Sequence, residues 1–132
     1  MPNATTPNLA STYVRLRNDV TAELLTVDAS FWERISSGQL GSFHNEYLVT
    51  MHSFRSAWDM WEMHPHGDEI VCLLSGAATF ILDDGQGHKE IKLSKPGDYV
   101  VVPKDAWHTA KTAVESTLLF ITAGEGTEHR PS

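Results

Sequence analysis

The sequence predicts an all-β domain, a sandwich or barrel of antiparallel strands, with one short helix near the N-terminus. Three observations carry this. From residue 43 onward, short apolar segments with a two-residue period follow one another. Glycine and proline punctuate them at regular spacing, as turns between short strands require. The 132 residues suffice for one domain with a proper core. Periodicity alone does not separate a jelly roll from other antiparallel barrels.

Residues 1–10, MPNATTPNLA, are polar with two prolines and read as a loose, extended arm. In TYVRLR (12–17) Tyr13, Arg15 and Arg17 alternate with Val14 and Leu16, a strand pattern. DASFWERISSG (28–38) predicts a short helix, with Ser30 and Glu33 spaced as a capping box and Gly38 at the exit. FHNEYLVTMHSF (43–54) alternates as a strand, and DEIVCLLSG (68–76) is an almost continuous apolar run ending in a turn. AATFILDDGQGHKEIKL (77–93) predicts a hairpin around its Gly-rich centre. No helix follows that centre, so it is not a phosphate loop. KPGD (95–98) is a turn, YVVVP (99–103) a strand stopped by proline, and STLLFITAG (116–124) a last buried strand. EGTEHRPS reads as a polar tail. The expected organisation is an arm, strand and helix over 1–39, a barrel over 40–123 and a tail over 124–132.

Composition excludes several classes. The net charge is −7, and the ten Lys and Arg are scattered without a cluster that could track a phosphate backbone. No nucleic-acid partner is expected. An acidic surface and the lack of a long apolar run give no expectation of a membrane partner. The N-terminus has neither the basic region nor the apolar stretch of a signal peptide, so the glycosylation-like NAT at 3–5 is read as coincidence. Cys72 is the one cysteine; it reads as a small buried hydrophobe, and a cytoplasmic location is expected.

Two stretches carry chemistry. WEMHPHGDEI (61–70) concentrates histidines and carboxylates, and Glu69 is followed after six residues by Gly76. Gly97, five residues, Pro103-Lys104-Asp105, two residues, His108, three residues and Thr112 form the second. In this order they resemble the paired motifs of the cupin superfamily, small single-domain conserved barrels. Asp105 stands where that family has Gly, a left-handed position that Asp tolerates, and Thr112 stands where it has Asn. The resemblance implies a double-stranded β-helix, a jelly-roll barrel with the ligand site inside.

It also implies a metal site, for which the first stretch offers two frames. Pairing His64 with His66 leaves one residue too few before Glu69. Pairing Glu62 with His64 restores the family spacing but puts Glu in place of the first His. Strand parity favours the second frame, because residues two apart face the same way. Pro65 and Gly67 place His66 in a turn. The expected ligands are Glu62, His64, Glu69 and His108, with His66 in reserve and His108 approaching from the far wall. His52, Trp58 and Trp107 are pocket candidates.

Imidazole and carboxylate together suit a divalent metal: Mn, Fe, Zn or Ni. The expected function is binding or conversion of a small oxygenated molecule inside the barrel, by dioxygenase or isomerase chemistry. A Glu62 or Glu69 left unligated would be a base of raised pKa. The alternative is a non-catalytic small-molecule or metal-sensing module acting through a protein partner. A homodimer is expected, with the TYVRLR strand crossing to a neighbour and covering a sheet edge. His44, His88 and His129 read as solvated, and Arg130 as a mobile tail residue.

Overall fold

The computed structural model describes residues 6–131; the first five residues of the expected arm lie outside the described part. The strands are β1 (Thr12–Leu16), β2 (Ala22–Thr26), β3 (Tyr47–Phe54), β4 (Met60–Met63), β5 (Glu69–Ser75), β6 (Ala78–Asp83), β7 (His88–Leu93), β8 (Tyr99–Val102), β9 (Trp107–Lys111), β10 (Ser116–Thr122) and β11 (Glu128–Pro131), with one helix, α1 (Phe31–Ser36). A six-stranded sheet has the order β2-β1-β3-β10-β5-β8, and a five-stranded sheet the order β11-β4-β9-β6-β7. All strand pairs are antiparallel. This is the all-β jelly-roll architecture that the motifs imply. No helix among the described residues is long and apolar enough to cross a membrane.

Strand parity builds the core. In β5, Glu69, Val71 and Leu73 point between the sheets, while Ile70 and Leu74 point out. Phe80 and Leu82 of β6, Val100 and Val102 of β8 and Leu118 of β10 complete one buried cluster. Each such side chain contributes roughly 1.5–3 kcal/mol through the apolar surface it removes from water. Cys72, expected to be buried, is only half-buried, because it shares the outward parity of Ile70 and Leu74.

A second cluster, Tyr13, Phe31, Phe43 and Leu48, lies under α1. It is braced by Arg15, which donates through Nε to Glu46 Oε1 at 2.7 Å and lies 4.1 Å over the Phe43 ring. The brace fixes the loop that enters β3 and forms one rim of the cavity described below.

Two turns show why particular residues stand where they do. Gly76 has φ +86°, and a Cβ there would meet the Glu115 carbonyl oxygen at 2.5 Å. Asp105 adopts φ +70°, the left-handed conformation expected at the position where the motif has glycine.

Several expectations need correction. The helix is shorter than residues 28–38, and the capping box does not form. Ser30 Oγ donates to Asp28 Oδ1 at 2.9 Å instead of capping α1. The strand expected from 43 starts at Tyr47, because Phe43 and Asn45 have positive φ. β2 was not expected. β1 pairs with β2 and β3 of its own sheet, so the edge there is covered from within the chain. The expected tail instead forms β11, paired along its length with β4. Arg130 is held with it, its guanidinium 5.2 Å from the Trp61 ring and 4.5 Å from the Trp107 ring.

Candidate metal centre

Glu62 on β4 and His108 on β9 are direct cross-strand partners, so they start from adjacent backbones on one sheet. His64 follows immediately after β4. Its carbonyl accepts from the Asp105 backbone N–H at 3.1 Å, and the Lys104 N–H donates to Asp68 Oδ1 at 2.8 Å. The two motif turns are thereby tied to each other. Glu69 reaches in from the start of β5 on the facing sheet. The expected placement of His108 on the far wall is not met, since His108 neighbours Glu62 on one sheet; Glu69 does come from the opposite wall, where the strand after the turn at 65–68 was expected to start. Two motifs adjacent in sequence order do not say which sheet each strand joins.

Glu62, His64 and His108 each offer a ligand atom, all within 4.8 Å of one another. Glu69 stands between the imidazoles, Oε1 at 3.1 Å from His108 Nε2 and Oε2 at 3.4 Å from His64 Nε2. Glu62 Oε2 lies 3.9 Å from His64 Nε2 and 4.0 Å from His108 Nε2. His64, Glu69 and His108 are buried, while Glu62 is partly open to the cavity.

Burial would push the Glu69 carboxyl up, but its contacts with His108 and His64 outweigh this and hold it at about 2. Burial likewise opposes a charge on His108, and Glu69, then Glu62, raise its pKa above the ordinary imidazole value. The expectation that Glu69 would be a base of raised pKa is thus overturned. Its surroundings are two imidazoles rather than the apolar walls that expectation assumed.

A divalent cation fits this donor set on two observations. First, His64 Nε2, His108 Nε2 and Glu69 Oε1 are buried and have no hydrogen-bond partner. The 3.1 Å and 3.4 Å approaches lack hydrogen-bond alignment, so three buried polar atoms converge unsatisfied. Such groups are costly unless something is bound between them. Second, Thr127 Oγ1 lies 2.9 Å from His64 Nδ1 and donates to the Gly124 carbonyl at 3.2 Å. Its oxygen is therefore the acceptor for His64 Nδ1–H, which leaves the Nε2 lone pair aimed at the centre. His108 Nδ1, by contrast, is buried without an aligned partner.

The centre forms the floor of a cavity of about 1120 Å³ between the barrel and α1. His52 and Trp58 line it. Trp107 does not: it alternates with His108 and faces outward under Arg130. His66, the reserve ligand, is excluded from the cluster by its turn. It is more than half exposed, with Nδ1 3.7 Å from Glu125 Oε1. His44 and His88 are exposed. His129, although half exposed, brings Nε2 to 3.4 Å from Glu62 Oε1.

Three contributors were missed. Thr122, which donates to Glu69 Oε2 at 2.6 Å, shares the inward parity of Leu118 and Phe120, a signal that was available. Thr127 and His129 carried none, since only the fold brings the C-terminal residues beside β4.

No family model matches the sequence, and no curated protein matches it. Among solved structures it is similar to a cupin-2 domain containing protein from Shewanella frigidimarina, at 21% identity over 58% of this chain and 69% of that one, with a TM-score of 0.49. A cupin superfamily protein from Desulfitobacterium hafniense is 26% identical over 58% of this chain and 65% of that one, with a TM-score of 0.47. An oxalate oxidase is 14% identical over 61% of this chain, with a TM-score of 0.52, and the match spans 44% of its own length. The fold is that of a small cupin domain.

Proposed function

We propose that the chain is a metal(II)-binding cupin that takes a small oxygenated organic molecule into the barrel and acts on it, by dioxygenase or isomerase chemistry. The carrying observation is the set of buried polar atoms without a hydrogen-bond partner, His64 Nε2, His108 Nε2 and Glu69 Oε1, at the floor of an open cavity. Glu62, His64, Glu69 and His108 would hold Mn, Fe, Zn or Ni. Bound there, the ion would supply Lewis acidity toward a ligand in the cavity. The chain's own residues do the rest. Thr127 sets the tautomer of His64, Thr122 orients Glu69, and Glu62 faces the ligand with His129 against it. The lone cysteine suits a reducing compartment such as the cytoplasm.

The test is metal content after loading with Mn(II) or Fe(II) and desalting. His66→Ala should retain the ion and Glu62→Ala should lose most of it; the reverse would sink the assignment. Oxygen uptake or product formation with a substrate panel then separates an enzyme from a sensor, which would bind tightly without product.

We also read the chain as a homodimer joined through the outer face of the six-stranded sheet. There Ile70 pairs with Val101 and Cys72 with Tyr99, and Ile70, Leu74, Tyr99 and Val101 are all exposed. Light scattering at micromolar concentration should give twice the chain mass, and Ile70→Asp should reduce it to one. A wild-type monomer would refute this.

A further inference from the structure

The cavity above the metal centre has a one-sided charge. Among the described residues that line it, none is Lys or Arg. Four are carboxylates: Glu33, Glu62, Glu69 and Glu125. Arg15 comes near the rim at Gly41, but its donors are taken by Glu46 and the Leu40 carbonyl. A bound divalent ion would not change the balance, because the carboxylates of Glu62 and Glu69 already offset its two charges. An anionic ligand would therefore enter a half-enclosed, low-dielectric space with no Lys or Arg to receive it, and above the floor it would meet the like charges of Glu33 and Glu125.

The remainder of the wall mixes aliphatic and small polar side chains with an aromatic group, Trp32, Phe43, Phe54, Trp58 and Phe120. Trp58 is wedged against Phe54, Phe80 and Phe120, with centroids 5.7, 5.6 and 6.1 Å away. His52 is packed among Tyr13, Trp32 and Phe120, and burial keeps it on the neutral side. Trp32, on the short helix at the mouth, is 51% exposed, with its ring tilted 37° to His52 at 5.8 Å. A large ring left half in water beside a cavity gains most when a second flat apolar surface covers it.

We infer that the ligand is an uncharged, ring-bearing molecule, with its ring against the Trp32, His52 and Phe120 stack and its oxygen atoms toward the buried carboxylates and imidazoles. Free carboxylic, phosphoric and phosphonic acids are discriminated against. The direction of the oxygen atoms rests on the metal reading above; the charge selection stands on the cavity itself.

The discriminating pair is 3,4-dihydroxybenzamide and 3,4-dihydroxybenzoate, which match in shape and differ in charge. Calorimetric titration is made under nitrogen with metal-free and Mn(II)-loaded protein, and metal content is measured on the same samples. The amide should bind at least about tenfold more tightly than the acid in both forms. Glu33→Lys, which reverses an exposed rim charge, should narrow that ratio several-fold. Trp32→Ala should weaken the amide several-fold without changing the Mn content. Equal or tighter binding of the acid, or no binding of either at millimolar concentration, overturns the inference. Failure of Mn(II) to bind while the amide preference persists overturns the metal reading and leaves this one standing.

Discussion

Glu69→Gln isolates the charge at the heart of the site, because it preserves shape and an acceptor for Thr122. In metal-free protein the carboxyl of Glu69 is held at about 2 against an ordinary 4.5. At about 1.4 kcal/mol per tenfold, this step corresponds to roughly 3 kcal/mol of folding stability. The sign follows from the folded value lying below the unfolded one. The contribution is complete above about 4.5 and is lost as the pH falls toward 2. His108 runs the other way, since its folded value is raised above 6.5. Its contribution is complete below that value and is lost as the pH rises through the folded one. The 3.1 Å approach of His108 Nε2 to Glu69 Oε1 enters both, with His64 adding to the first and Glu62 to the second, so the two are coupled and are not summed. Urea unfolding of chelator-treated protein reads the result. Near neutral pH the variant should be less stable by up to about 3 kcal/mol. That gap should close as the solution is acidified below the ordinary carboxyl range. The variant should also lose the stabilisation that wild type gains on moving from mildly alkaline to mildly acidic solution. A gap independent of pH would refute the reasoning, because it would show that packing and not charge is what Glu69 contributes.

Thr127→Val removes the acceptor that fixes His64 Nδ1–H. Metal affinity should fall about 10- to 100-fold in competition with a chelating dye, and Thr127→Ser should restore it. Gly76→Ala places a Cβ against the Glu115 carbonyl at a positive φ. The urea midpoint should drop by the equivalent of about 1–3 kcal/mol or more, and an unchanged midpoint would contradict the tight turn.

How much was legible depended on the range of the interaction. Strand parity put Glu62 inward, and Pro65 and Gly67 sent His66 into the turn, whereas the almost continuous apolar run of β5 hid its parity, so Cys72 was expected inside where only Val71 and Leu73 are buried. Asp105 could be placed in a left-handed turn from its position between Pro103 and His108. The same local reading overreached at Ser30, whose hydroxyl had a competing partner in Asp28, and at Trp107, whose neighbour His108 took the inward position.

By itself the sequence determined the alternation of faces, the turns and the residue types able to bind a cation, because these depend on neighbours a few positions apart along the chain. Only the tertiary structure decided that β11 pairs with β4 and brings His129 beside Glu62, that Thr127 orients His64, that His108 shares a sheet with Glu62, and that no Lys or Arg lines the cavity among the described residues. Those outcomes rest on pairings between distant segments, and the choice among such pairings is made by packing the whole chain at once.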